Sequence, residues 1–290
     1  MITKGIILAG GKGTRMSPLT KAVNKQLLPI HDKPLIFYPL SILMLAGIKE
    51  ILIIVNKGQL SQYQKIIPKK NNFGIKIQYA EQSHPKGLPD AFILGEKFIN
   101  KKNVCLILGD NFYYGQNLSS ILNSCTKLKS GAKVLLHRVS KPERFGVAKI
   151  VGKKIKVIKE KPKKFISDLA ITGLYFFDNK VSSYAKSLRP SKRGELEIVD
   201  LLNKYLKKRK LSAELIGRGG AWLDTGSIDD FYKTSNFVSS IENRQGFKIA
   251  CLEEIAFNKK WITKKEILNS IKFYGNCSYS EYLKKLIKFR

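Results

Sequence analysis

The chain has 290 residues, 43% hydrophobic and 26% charged, enough for a sizeable buried core and incompatible with a disordered or low-complexity chain. Its formal charge is +31, from 53 Lys and Arg against 22 Asp and Glu. No apolar run reaches the roughly 18 residues of a membrane span, and residues 6–9 are too short an apolar core for a signal peptide.

Residues 5–9 read as a fully buried strand followed by a glycine turn. Residues 33–48 are apolar and long enough for a core helix closing near Gly47, and residues 50–55 form the next buried strand. A third strand is expected over 75–80, a helix over 91–98, and a fourth strand over 104–108 that ends at Gly109-Asp110. Strands apolar on both faces and separated by helices predict a parallel sheet, hence an α/β class with a Rossmann-like, mainly parallel three-layer arrangement. After residues 132–139 the rhythm changes. Residues 147–151, 156–159 and 174–177 are β-rich with short connections. Helices follow at 195–208 and 228–242 around a strand at 213–216, and residues 264–271 and 279–289 are the best helical segments of the last part. The expected organisation is one unit over 1–245, with its first part at about 1–130 and a β-rich second part at about 131–245. A helical appendage over 246–290 is the expected interface or regulatory region.

The charge invites a nucleic-acid reading. Only nine of the 53 cations are Arg, however, and groups such as Lys153-Lys154 with Lys156 and Lys207-Lys208-Arg209-Lys210 are short and interrupted. A solvated Lys-rich surface accounts for them, so no nucleic-acid partner and no membrane partner is expected. Cys105, Cys125, Cys251 and Cys277 form no CxxC pair, and His31, His84 and His137 share no ligand spacing. Neither a zinc site nor a disulfide framework is predicted, and the thiols fit a reduced, cytoplasmic setting.

The most informative stretch is Leu8-Ala9-Gly10-Gly11-Lys12-Gly13-Thr14-Arg15, directly after the first strand. Glycines let the backbone approach a polyphosphate, and successive amides can form an anion nest. The spacing matches neither a Walker A loop nor the dinucleotide fingerprint. An ordinary tight turn is the bland alternative. Lys25, in Lys25-Gln26-Leu27-Leu28-Pro29, either reaches the same phosphates or is simply solvated. Asp110 must sit at the carboxyl end of a strand, where ligands of open α/β sheets collect, and a carboxylate meeting phosphates there suits Mg²⁺. Asp224, in Trp222-Leu223-Asp224-Thr225-Gly226, is a second carboxylate or a turn residue. The pair Glu160-Lys161 before Pro162 is either surface or a polar-ligand contact.

These motifs, with Asp32-Lys33-Pro34, Met44-Leu45-Ala46-Gly47-Ile48, Thr172-Gly173-Leu174-Tyr175 and Arg193-Gly194-Glu195-Leu196-Glu197-Ile198, run collinearly through nearly the whole chain. The sequence resembles the glucose-1-phosphate thymidylyltransferases, within the sugar nucleotidyltransferases. The resemblance implies condensation of dTTP with α-D-glucose 1-phosphate to dTDP-glucose and pyrophosphate, early in dTDP-L-rhamnose or deoxysugar synthesis. It implies that Leu8, Gly10, Gly11, Gly13 and Thr14 surround the nucleotide, that Arg15 holds the leaving pyrophosphate and that Lys25 neutralises the α-phosphate. Gln26, Gln82 and Gly87 would contact the base and its surroundings, and Asp110 and Asp224 would hold Mg²⁺. Gly146, Glu160, Ile171, Tyr175 and Trp222 would line the sugar pocket, with Lys161 and Arg193 on the sugar phosphate. The resemblance also implies a homotetramer inhibited by dTDP-L-rhamnose.

The sequence departs from that pattern at several places. Phe145 stands for a common Tyr and Ile171 for a common Val, while Glu81, the 83–86 segment and Gly219-Gly220 also differ. Asn258 stands where relatives carry an arginine tied to the inhibitor site, which predicts weakened feedback. A uridylyltransferase is the nearest alternative, because one methyl separates thymine from uracil and gives only about 1–3 kcal/mol of selectivity. A non-catalytic nucleotide-sugar or polyanion-binding protein is a more distant one.

Overall fold

The computed structural model describes residues 1–290 except Lys12, Lys153 and Arg290, so Lys12 of the glycine stretch and Lys153 of the basic groups lie outside the described residues. The first strands are β1 (Lys4–Leu8), β2 (Pro29–Ile30), β3 (Lys33–Pro34), β4 (Glu50–Asn56), β5 (Lys76–Gln82), β6 (Val104–Leu108) and β7 (Asn111–Tyr114). The later ones are β8 (Ala132–Arg138), β9 (Gly146–Val151), β10 (Lys154–Glu160), β11 (Leu169–Phe177), β12 (Leu211–Leu215) and β13 (Ala221–Asp224). Helices α1 (Phe37–Leu45), α2 (Leu60–Ile66), α3 (Asp90–Leu94), α4 (Glu96–Ile99), α5 (Leu118–Thr126), α6 (Val181–Lys186) and α7 (Ile198–Lys207) connect them. The chain closes with α8 (Ile228–Gln245), α9 (Leu252–Asn258), α10 (Lys264–Tyr274) and α11 (Ser278–Phe289).

One mixed sheet runs β10-β9-β11-β6-β1-β4-β5, with β8 on β11 and β12 on β8. Its β6-β1-β4-β5 half is parallel, and the pairs of β11 with β6, β8 and β9 are antiparallel. The parallel strands are apolar throughout because both faces are covered. Ile7, Ile53 and Ile107 belong to the core shared with α1 and α9–α11, while Ile6, Leu52 and Leu106 belong to the core under α3 and α7. The three layers follow from this alternation. The last helices share the first core through Leu252, Ile267 and Leu283, with α9 packed against α1 and α10 and α11 packed against α9.

Several boundaries differ from the sequence expectation. The core helix begins at Phe37, because Lys33-Pro34 pairs with Pro29-Ile30 as a two-stranded ribbon. The helix expected over 91–98 breaks at Gly95, where a Cβ would lie 2.8 Å from the Ala91 carbonyl oxygen and 3.0 Å from Ile6. The helix expected from 195 begins at Ile198, since Leu196 bridges Gly87 instead. The strand expected over 174–177 extends back to Leu169, and the one expected over 213–216 spans Leu211–Leu215. The ribbon of β7 and β13 was not expected at all.

The hairpin of β2 and β3 is tied to α8 by a buried charge cluster. Lys33 pairs with Asp32 and, at 3.0 Å, with Glu242, and Lys248 pairs with Asp32 and Glu242. His31, Asp32 and Glu242 come close enough to suggest a metal group. Two ammonium groups and the Ile249 N–H already occupy these carboxylates, so their charge is balanced without an ion. Glu242→Gln leaves Lys33, whose side chain is 2% exposed, with a single carboxylate. We expect a loss of about 3 kcal/mol in urea unfolding, and an unchanged midpoint would contradict this role.

Candidate active site

The carboxyl ends of the parallel strands build one rim. The glycine stretch follows β1, Asn56 ends β4, Gln82 ends β5 and Asp110 follows β6. The glycine stretch passes into a short 3₁₀ turn, Thr14–Met16, and Lys25 lies in another, Lys25–Leu27, whose amide at Gln26 is capped by the Asn24 side chain. A cavity of 260 Å³ is lined by Gly10, Gly11, Gly13, Thr14, Arg15, Lys25, Gln26, Asp110 and Gly226. A second cavity, of 310 Å³, shares Arg15 and Asp110 with it. Gly87, Gly146, Glu160, Lys161, Ile171, Tyr175, Arg193, Trp222 and Asp224 line this second space. Of the residues singled out in the sequence, Leu8 and Gln82 line neither cavity. The Leu8 carbonyl accepts the Gly109 N–H, and its side chain packs against the core. Gln82 lies beside Gly10, where a Cβ would come within 1.8 Å of its Nε2, so a side chain at position 10 would displace the Gln82 amide.

Asp110 and Asp224 meet because β7 and β13 pair antiparallel, setting Asp224 opposite Asn111. Thr225 secures the join, donating its N–H and hydroxyl to the Asp110 carbonyl at 3.2 and 2.8 Å. The two carboxyls have opposite electrostatics. Burial works to raise the Asp110 pKa, but the charge and hydrogen bond of Lys25, 2.7 Å away, outweigh it and hold this carboxyl below the usual range. Burial and the nearby Asp110 charge push Asp224 up to about 6, against the pull of Lys25 and Arg15. Arg15 approaches Asp224 across Gly226: a Cβ there would lie 2.9 Å from the guanidinium and 3.0 Å from Asp224 Oδ2.

The second cavity holds its own charges. Lys161 takes φ +40°, a left-handed backbone that non-glycine residues adopt only when the surroundings impose it, and its N–H donates to the Phe145 carbonyl. Its ammonium lies 3.7 Å from Glu160. Burial raises the Glu160 pKa, Lys161 opposes this and Glu197 adds to it. Arg193 donates to both oxygens of Glu197 at 2.8 Å, so it is oriented by a neighbour four residues on. Phe145 packs edge-on against Trp222 at 5.1 Å.

The chain has relatives among known proteins. The model of the nucleotidyl transferase family matches residues 4–241. A glucose-1-phosphate thymidylyltransferase of Neisseria gonorrhoeae is 49% identical over 98% of this chain and 99% of its own length. One from Mycolicibacterium smegmatis is 42% identical over 98% and 99%. The structure of a UDP-glucose pyrophosphorylase bound to UDP-glucose superposes with a TM-score of 0.74 at 27% identity, over 83% of this chain and all of that one. The chain belongs to the nucleotidyl transferase family, among the glucose-1-phosphate thymidylyltransferases.

The two cavities adjoin, with cations and carboxylates where the spaces join. Sequence reasoning missed three residues of this enzyme site. Buried Asn111 accepts from Trp222 Nε1 at 2.6 Å and from the Gly173 N–H at 3.1 Å, and donates to Asp110 at 3.1 Å. It thereby locks Asp110, Trp222 of the second cavity and β11 together. Arg144 reaches the second cavity while paired with Asp230 at 3.0 Å. Glu197 was legible only as part of a motif, although its i,i+4 spacing from Arg193 is a standard pairing signal.

Proposed function

We propose that the chain transfers a thymidylyl group from dTTP to α-D-glucose 1-phosphate, releasing pyrophosphate and forming dTDP-glucose. The observation that carries this reading is the pair of cavities joined at Arg15 and Asp110, one glycine-lined and one lined by the sugar-pocket residues. The nucleotide occupies the first and the sugar phosphate the second. An oxygen of the sugar phosphate, already anionic, attacks the α-phosphorus in line, and its new P–O bond replaces the bond to pyrophosphate. No general base is required, so catalysis rests on positioning and fixed positive charge. Arg15 suits a bidentate hold on the pyrophosphate, whereas Lys25 and Lys161 act as compact charges on the α-phosphate and the sugar phosphate. Arg193, oriented by Glu197, adds a donor to the sugar phosphate.

Asp110 and Asp224 are the residues that would hold Mg²⁺. The fit lies in the donor set: hard carboxylate oxygens whose mutual repulsion, visible in the raised Asp224 pKa, a divalent cation would relieve. Bound there, Mg²⁺ would neutralise charge on the α-phosphate. The enzyme is proposed to be cytoplasmic and homotetrameric; no helix among the described residues is long and apolar enough to cross a membrane. A uridylyltransferase is the second reading, favoured by the fold shared with UDP-glucose pyrophosphorylase. Pyrophosphate release across dTTP, UTP, ATP, CTP and GTP against several sugar 1-phosphates decides between them. The dTTP–glucose 1-phosphate pair should be the fastest, and no release with any pair would remove the enzymatic reading.

Feedback by dTDP-L-rhamnose is proposed at a separate cavity of 270 Å³ that reaches Leu45, Tyr114, Gly115 and Asn258. Asn258 is shorter than arginine and cannot make a bidentate phosphate contact. Asn258→Arg should therefore lower the dTDP-L-rhamnose concentration needed for half-inhibition by about tenfold, a gain worth about 1.4 kcal/mol. Equal inhibition of the two forms would count against this assignment.

A further inference from the structure

The end of β4 carries a residue outside the assigned machinery that touches both the glycine stretch and Gln82. Asn56 lies opposite Gln82 in the register of β4 and β5. Its Oδ1 accepts the Gly11 N–H at 3.0 Å, and its Nδ2 donates to the Gly11 carbonyl at 2.9 Å. A backbone N–H can only donate and a carbonyl can only accept, so the Asn56 amide has a single permitted orientation. Gln82 Nε2 then donates to that same Oδ1 at 3.1 Å, since turning Gln82 over would set two acceptors against each other. Gln82 is 5% exposed and rests on Gly10, so little space remains for another rotamer.

The relay continues on the far side. Asn56 Nδ2 also donates to Gln59 Oε1 at 3.2 Å, which accepts from Asn24 Nδ2 at 2.7 Å. Asn24 Oδ1 in turn accepts the Gln26 N–H and the Tyr63 hydroxyl. Every amide in this chain is anchored at a backbone group or at a neighbour so anchored. The set therefore holds one polarity from the Lys25 turn to Gln82.

We infer that Asn56 is a positioning residue that fixes which atom of the Gln82 amide faces the base and so sets base selectivity. This rests on the proposed function and on the base contact that the resemblance implies for Gln82, which lies directly behind Gly10 of the glycine-lined cavity. With one Nε2 hydrogen given to Asn56, Gln82 presents Oε1 as an acceptor and its second N–H as a donor; among the described residues no hydrogen bond engages Oε1. Thymine and uracil match, because their ring N3–H lies beside carbonyl oxygens. Cytosine carries a lone pair at N3, which would face Oε1 unless the amide turned over and abandoned Asn56. A site built to bond a ring N–H strongly rejects an analogue lacking it.

The test is kcat/KM for dTTP, dUTP, dGTP and dCTP with glucose 1-phosphate, on the wild-type protein and on Asn56→Ala and Asn56→Asp. The wild type should use dUTP at least 100-fold better than dCTP, a measurement that needs no variant. Asn56→Ala frees the amide, so the dTTP-to-dCTP ratio should fall at least tenfold while the KM for glucose 1-phosphate stays unchanged. Asn56→Asp still accepts from Gly11 and Gln82 through one oxygen, although its other oxygen loses the donations to the Gly11 carbonyl and Gln59 and faces them as an acceptor. It should keep the ratio within about threefold, although its charge raises the KM of every nucleotide together. Wild-type use of dCTP within tenfold of dUTP, an unchanged ratio in Asn56→Ala, or a ratio lost as fully in Asn56→Asp overturns the inference. A wild-type preference for dUTP or dGTP over dTTP, with dCTP still rejected, removes the thymidylyl assignment and leaves the role of Asn56 standing.

Discussion

Asp110→Asn should reduce kcat by about 10²–10³ at saturating substrates and Mg²⁺, the usual effect of removing one preorganised electrostatic group. The substitution keeps the side chain's shape and its place beside Asn111 but removes the charge that pairs with Lys25 and would bind the metal. The fold should survive, because Asp224 lies near enough for Lys25 to stabilise its ionised form and takes over as the lysine's counter-charge. Freed from the Asp110 charge, Asp224 should also stay ionised to lower pH than in the wild type. Lys25→Ala should slow turnover comparably and also lower stability, since the Lys25 side chain is only 8% exposed and its loss strands a carboxylate. Turnover within threefold of wild type for Asp110→Asn would remove Asp110 from the mechanism.

Asp224→Asn should separate stability from activity, raising one while abolishing the other. The Asp224 pKa is raised from an ordinary 3.8 to about 6, so the folded chain holds a proton that the unfolded chain releases between those values. Stability without metal therefore falls as pH rises from about 4 to about 6 and stays reduced above that range. A neutral asparagine escapes this penalty. Without added metal at pH 8, Asp224→Asn should unfold with about 1–3 kcal/mol more free energy than wild type, yet turn over about 10²–10³ times more slowly. Adding Mg²⁺ should raise the melting temperature of the wild type and leave the variant unmoved. The acid limb of kcat/KM should fall near pH 6 at limiting Mg²⁺ and move to lower pH as Mg²⁺ rises, because metal and proton compete for one carboxyl. An acid limb that ignores Mg²⁺ would show that Asp224 does not share the metal.

Much of the parallel half of the sheet was legible. The strands β1, β4 and β6 are apolar on both faces, a pattern that helices on two sides require, and their glycine and aspartate ends had to fall on one rim. Where the structure departs from the sequence expectation, the cause is a contact remote in sequence. Lys33 looks like the start of a helix until its ammonium is seen paired with Glu242 and Asp32. Gly95 looks tolerable inside a helix until its close approach to Ile6 is seen. The join between Asp110 and Asp224 depends on an antiparallel pairing of two short aromatic-rich strands, Asn111–Tyr114 with Ala221–Asp224. Such runs read equally well as core, so only the resemblance linked the two carboxylates. Asn111 and Asn56 escaped because an amide shows its role through partners, and the deciding ones, Trp222 and Gly173 for the first and Gly11 and Gln82 for the second, lie far away in sequence.

The most direct measurement of the central claim is the anomalous scattering of Mn²⁺ in crystals of the enzyme grown with dTTP. A single strong peak should bridge Asp110 and Asp224, with the triphosphate in the glycine-lined cavity beside Arg15 and Lys25. A peak at Glu242 and Asp32 instead, or a triphosphate lying away from both aspartates, would contradict the account.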